Sequence, residues 1–105
     1  MRFKDKVVIV TGACGGIGSK AVEGFLEEGA LVLASDLEKE QLEELKTNFN
    51  SSRLITLAGD VRENSTHLSL VETAVTTFGG LDIALNNAGI SHEVVKLPLI
   101  EEEVA

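Results

Sequence analysis

The run Thr11-Gly12-Ala13-Cys14-Gly15-Gly16-Ile17-Gly18 places glycines at 12, 16 and 18 in the spacing GxxxGxG. A strand that turns sharply into a helix while its backbone nears a diphosphate needs such residues. Glycine permits positive φ and removes the Cβ that would collide with the ligand. The helix start then offers N–H groups and a partial positive charge to phosphate oxygens. The plain alternative is a glycine-rich turn that binds nothing. A phosphate loop of the Gly-Lys-Ser/Thr kind fits poorly, because the local order is Gly18-Ser19-Lys20.

Two carboxylates extend this chemistry. Asp36 follows an apolar run and stands 18 residues beyond Gly18, where an acid can accept hydrogen bonds from both ribose hydroxyls of an adenosine. Its charge opposes a 2′-phosphate by about 1–4 kcal/mol at ~4 Å. Cys14, Gly15 and Leu37 supply no cation to offset that, so NAD is expected over NADP. The alternative for Asp36 is a surface acid at a strand end. Asp60, followed by Val61, is placed to hold an adenine amino group while Val61 lines the ring. Its alternative is a helix-capping or turn acid.

The elements that must position these residues alternate along the chain. Val7-Val8-Ile9-Val10, Leu31-Val32-Leu33-Ala34, Leu54-Ile55-Thr56-Leu57 and Ile83-Ala84-Leu85 are short apolar runs suited to a parallel sheet. Between them, Ile17, Ala21 and Phe25 recur every fourth residue before Gly29, and Leu42, Leu45 and Phe49 share a second helical face. His67, Leu70, Val71, Ala74, Val75 and Phe78 form the longest stripe, ended by Gly79-Gly80. Pro98 and Leu99 are expected to open a further helix. This order predicts an α/β, doubly wound parallel sheet with right-handed crossovers. Asn86-Asn87-Ala88-Gly89 then ends the fourth strand, so all four strand tips carry small or polar residues on one edge. Ligands of open parallel sheets bind at that edge.

Composition sets the frame. The chain has 105 residues, 44% of them hydrophobic, and a net charge of -8, which suits one globular domain over 1–105 and argues against a nucleic-acid binder. The single cysteine cannot form an internal disulfide, which fits a reducing, cytoplasmic setting. No apolar run reaches 18 residues and the N-terminus lacks a leader pattern, so no membrane partner is expected.

With TGACGGIG at 11–18, Asp36, Asp60-Val61 and LDIALNNAG at 81–89, the chain resembles the short-chain dehydrogenase/reductase family over essentially its whole length. The resemblance implies a Rossmann-type fold and hydride transfer between NAD(P) and an alcohol or carbonyl substrate. It implies that Gly12, Gly16, Ile17 and Gly18 surround the pyrophosphate, with Cys14 and Leu37 in the same cofactor site. Asn87, Ala88 and Gly89 flank the nicotinamide-side ribose, and Asn86 ties the fourth strand to its neighbours. The family's later Asn, Ser and Tyr-x-x-x-Lys carry its catalysis, with the Tyr as acid or base. This sequence contains no tyrosine. The expectation is therefore the NAD-binding half of a dehydrogenase, inactive as it stands, with a sheet of order 3-2-1-4 that ends at strand four. An edge strand left open there invites self-association. A nucleotide-binding module without turnover, or a fragment without a role of its own, are the alternatives.

Cys14, near a helix start, invites a reading as a reactive thiolate, although a tolerated small side chain is the simpler one. His67 is expected to be partly buried and structural, and His92 to be a loop residue. Neither suggests a metal. Glu101-Glu102-Glu103 suits a solvated helix start.

Overall fold

The computed structural model describes residues 2–87 and 93–95. Its elements run β1 (Val7–Thr11), α1 (Gly16–Glu27), β2 (Leu31–Asp36), α2 (Lys39–Phe49), β3 (Leu54–Ala58), α3 (Asn64–Phe78), β4 (Ile83–Asn86) and β5 (Glu93–Val95). The sheet order is β3-β2-β1-β4-β5. The first four strands are parallel, as the apolar runs and intervening helices require.

Central β1 is buried along its whole length. Val8, Val10, Val32, Ala34 and Leu54 pack on one face with Val22 and Leu26 of α1 and Leu42 and Leu45 of α2. On the other face Val7, Ile9 and Leu33 meet Leu70 and Ala74 of α3. Burial of such aliphatic side chains contributes about 1.5–3 kcal/mol each. Asp82 fixes the register of β4 against β1: its N–H donates to the Val7 carbonyl at 2.9 Å, and its Oδ2 accepts the Val7 N–H at 2.8 Å.

Three expectations change. Strand four is not the sheet edge, because β5 pairs with it in antiparallel register (Ala84 with Val95, Leu85 with Val94, Asn86 with Glu93). Its backbone groups are thus engaged, and the sheet does not end there as expected. An association through an exposed fourth strand loses its physical basis. The inward face of α1 is Gly18, Val22 and Leu26, one residue on from the stripe read in sequence. Ile17 is exposed, and Phe25 is partly buried against Phe3, edge-on with 5.2 Å between ring centres. His67 is exposed, and its Nε2 contacts the Val61 carbonyl oxygen. Ala88, Gly89, His92, Glu101-Glu102-Glu103 and the helix expected from Pro98 lie outside the described residues. No helix among the described residues is long and apolar enough to cross a membrane.

Candidate functional site

At the carboxyl ends of β1–β4 lies a cleft of about 550 Å³. The glycine loop contributes Gly12, Gly15, Gly16 and Ile17, the end of β2 Asp36 and Leu37, the end of β3 Gly59 to Arg62, and β4 Asn87. Seven of the residues read from sequence therefore meet in one space: Gly12, Gly16, Ile17, Asp36, Leu37, Asp60 and Val61, joined by Asn87 as an eighth.

The loop glycines serve three different ends. Gly12 has φ +63°, which other residues rarely adopt. Gly18 is buried, and a Cβ there would stand 2.0 Å from the Gly12 carbonyl oxygen. It packs the helix against the loop and does not line the cleft. Gly16 is exposed on the cleft, and a Cβ there would meet no atom of the protein within 4 Å. Neither packing nor a positive φ accounts for this glycine. The open space leaves room for a ligand to approach the backbone closely. The start of α1 at Gly16 has no side-chain cap and no acid in its first turn, so its dipole faces the cleft unopposed. The fit to a diphosphate is good.

Asp36 is held by the backbone. Its Oδ2 accepts the Cys14 N–H at 2.9 Å and its Oδ1 the Leu37 N–H at 2.7 Å. Each oxygen keeps acceptor capacity for a further donor. The Ala13 N–H donates to the Ser35 carbonyl at 3.0 Å, and the Gly59 N–H to the Asp36 carbonyl at 3.0 Å. The glycine loop, β2 and the end of β3 are thereby stitched together around the carboxylate.

Cys14 reaches the site through its amide. Its side chain lines a separate hollow with Ser19, Gln41 and Glu44. Burial, then the Asp36 charge and hydrogen bond, push its thiol up to about 11. The raised thiol is a poor nucleophile at neutral pH, which favours the simpler reading of Cys14 as a tolerated small side chain.

Asp60 differs. Its Oδ1 accepts the Arg62 N–H at 2.9 Å, closing a turn before α3, so the turn-acid reading holds. The Arg62 guanidinium grips the same carboxylate side-on, with Nε 3.0 Å from Oδ1 and Nη2 2.7 Å from Oδ2. Hydrogen bonds from Arg62 hold the Asp60 carboxyl down at about 2, and the carboxylate in turn raises the guanidinium above its usual value. Arg62, Gly59 and Gly15 are cleft residues that the sequence reading missed. The Asp-x-Arg spacing at 60–62 is the signal that was available for Arg62.

Thr11 was missed as well. Its hydroxyl donates to Asn86 Oδ1 at 3.0 Å and accepts the Asn87 N–H at 3.1 Å. Asn87 Nδ2 reaches the Gly12 carbonyl at 3.5 Å. These bonds place Asn87 over the loop, and they give Asn86 the structural role expected of it. Among the described residues no group of His, Cys, Asp and Glu is arranged to hold a metal.

The comparisons with known proteins agree with this geometry. The family profile described as short chain dehydrogenase matches residues 6–104. A cis-2,3-dihydrobiphenyl-2,3-diol dehydrogenase of Rhodococcus globerulus is 40% identical over 101 residues, covering 93% of this chain and 36% of that protein. A meso-2,3-butanediol dehydrogenase of Serratia marcescens is 33% identical over 90 residues, covering 86% and 36%. Among solved structures, the apo glucose dehydrogenase of Caenorhabditis elegans superposes with a TM-score of 0.80 at 34% identity, covering 87% of this chain and 40% of that one. The chain thus spans well under half the length of these relatives. With its parallel sheet, glycine loop and strand-end acids in the family's order, it belongs to the short chain dehydrogenase family.

Proposed function

We propose that these residues form the NAD-binding portion of an oxidoreductase that transfers hydride between the nicotinamide and an alcohol or carbonyl substrate. The observation that carries the reading is Asp36, a carboxylate fixed at the tip of β2 and lining the same cleft as Gly12 and Gly16. The cofactor supplies or accepts the hydride. Gly12, Gly16 and Ile17 lie against the pyrophosphate, with Gly18 shaping the loop beneath. Asp36 accepts the ribose hydroxyls, with Leu37 beside it and Asp60 and Val61 at the base. Asn87, with Ala88 and Gly89, serves the nicotinamide side.

NAD is preferred because the Asp36 charge stands unbalanced. Among the described residues the one cation lining the cleft, Arg62, is already neutralised by Asp60. A 2′-phosphate beside Asp36 therefore meets repulsion without compensation. With no tyrosine in its sequence, this chain binds cofactor without turnover, and a single cysteine, which cannot form an internal disulfide, suits the reducing cytoplasm. Calorimetric titration with NAD, alongside an absorbance assay for NADH with a panel of alcohols, tests both statements. Saturable binding with no NADH formed is expected. A folded sample that fails to bind overturns the cofactor role, and turnover overturns the inactive state.

A further inference from the structure

The apolar stripe of α3 that runs through Leu70, Val71, Ala74, Val75 and Phe78 begins with a histidine. His67 lines a hollow of about 230 Å³ beside Leu70, Val71 and Leu85, where an aliphatic side chain would pack as well. Packing therefore does not call for an imidazole at this position. The ring instead reaches the turn between β3 and α3, where its Nε2 lies within hydrogen-bond distance of the Val61 carbonyl oxygen. A carbonyl oxygen only accepts, so the ring carries a proton on Nε2.

That turn forms one wall of the cleft, through Asp60, Val61 and Arg62. It follows the outer strand of the sheet, to which the Gly59 N–H still belongs through its bond to the Asp36 carbonyl of β2. Beyond Gly59 the backbone closes on itself: the Glu63 N–H donates to the Asp60 carbonyl at 3.0 Å, and the Arg62 N–H to Asp60 Oδ1 at 2.9 Å. Among the described residues one hydrogen bond joins residues 60–62 to α3, the one from His67. The turn lies close enough to the helix to need little reach, since a Cβ on Gly59 would stand 2.7 Å from Thr66 Cγ2.

We propose that His67 is a positioning residue, whose Nε2–H bond to the Val61 carbonyl holds the turn after β3 where the cleft receives the nucleoside end of its ligand. The proposal rests on the assignment of this cleft to an adenosine diphosphate group. His67 acts through Val61, not by touching the ligand. Because the ring is exposed, water takes its place at the carbonyl when it is removed, and the fold stands without it. A turn without this tie samples other positions, and a ligand must then fix it on binding, which lowers affinity.

The test titrates ADP and inorganic pyrophosphate calorimetrically into the full chain and into His67→Leu and His67→Gln. Leucine keeps the apolar packing and loses the donor. Glutamine keeps an N–H at the same number of bonds from Cβ and carries no charge. His67→Leu is expected to bind ADP about three- to tenfold more weakly, the worth of one hydrogen bond. Its pyrophosphate affinity, set at the glycine loop, and its denaturant midpoint should stay near those of the wild type. His67→Gln is expected to restore ADP binding to within about twofold. Unchanged ADP binding in His67→Leu overturns the proposal, as does an equal loss for both probes. A glutamine variant as weak as the leucine one also overturns it, because the ring and not its N–H would then matter. Failure of the wild type to bind either probe overturns the cleft assignment itself, and this proposal with it.

Discussion

Asp36 and Asp60 stand at the tips of neighbouring strands and line one cleft, but they are held in opposite ways. Backbone amides of Cys14 and Leu37 grip Asp36, one to each oxygen, so the carboxylate is part of the frame. Asp60 is gripped by its own turn and by an exposed side chain, Arg62. A backbone donor cannot leave without moving the loop. An exposed guanidinium swings away at little cost, since surface ion pairs contribute little to stability. The same residue type thus serves as a fixed acceptor at one tip and as an exchangeable one at the other.

The largest blow to this contrast falls on the fixed side. Gly18→Ala drives a Cβ to 2.0 Å from the Gly12 carbonyl, so the loop must lift from β2 and from Asp36. Denaturant unfolding is expected to show a loss of about 3 kcal/mol or more, as for other severe overpacking. Asp36→Asn comes next: its amide turns an N–H toward one of the two backbone donors. A loss of about 1–3 kcal/mol is expected in the same assay. An Asp36→Asn protein as stable as the wild type would break the contrast.

Cys14 reports on Asp36 from the side. Its thiol, raised to about 11, should alkylate slowly with iodoacetamide near pH 8, and the rate should climb as the pH approaches that value. Asp36→Asn removes the adjacent charge and should speed alkylation several-fold at fixed pH. An unchanged rate would leave burial as the whole cause.

The smallest effect belongs to the exchangeable side. Asp60 has a folded value of about 2 against an ordinary 3.8, so its ionised form favours the folded state. That contribution is complete above about pH 4 and is lost as the pH falls toward 2. Because the Arg62 guanidinium is exposed, Arg62→Met should be only slightly less stable than wild type above about pH 4, and the difference should vanish as the pH falls toward 2. A large difference at neutral pH would show that Arg62 is structural.

Much of this was legible in sequence where one residue type met one local demand. Asp36 stands one polar residue beyond an apolar run, and Gly12 likewise follows such a run after Thr11, where a positive φ is needed. The parallel, doubly wound sheet followed from strand–helix alternation, and the order 3-2-1-4 of its first four strands from the family resemblance. The phase of α1 was not legible, because its inward seam begins with Gly18, which carries no apolar signal. The neighbouring Ile17 therefore drew the stripe one residue away. β5 was hidden for another reason: three residues paired to β4 carry no periodicity. Arg62 reads in sequence as an ordinary surface cation, and only the turn at Asp60 brings it onto the cleft. Thr11 reads as the end of a strand, and its bonds to Asn86 and Asn87 span more than 70 residues of chain.

The central claim is that a fixed, unbalanced Asp36 selects the cofactor, and one ratio tests it most directly. NAD and NADP are titrated calorimetrically into the wild type under identical salt. The account predicts that NAD binds at least about tenfold more tightly, since a repulsion of that size follows from one opposed charge pair. Equal affinity, or tighter binding of NADP, would contradict it.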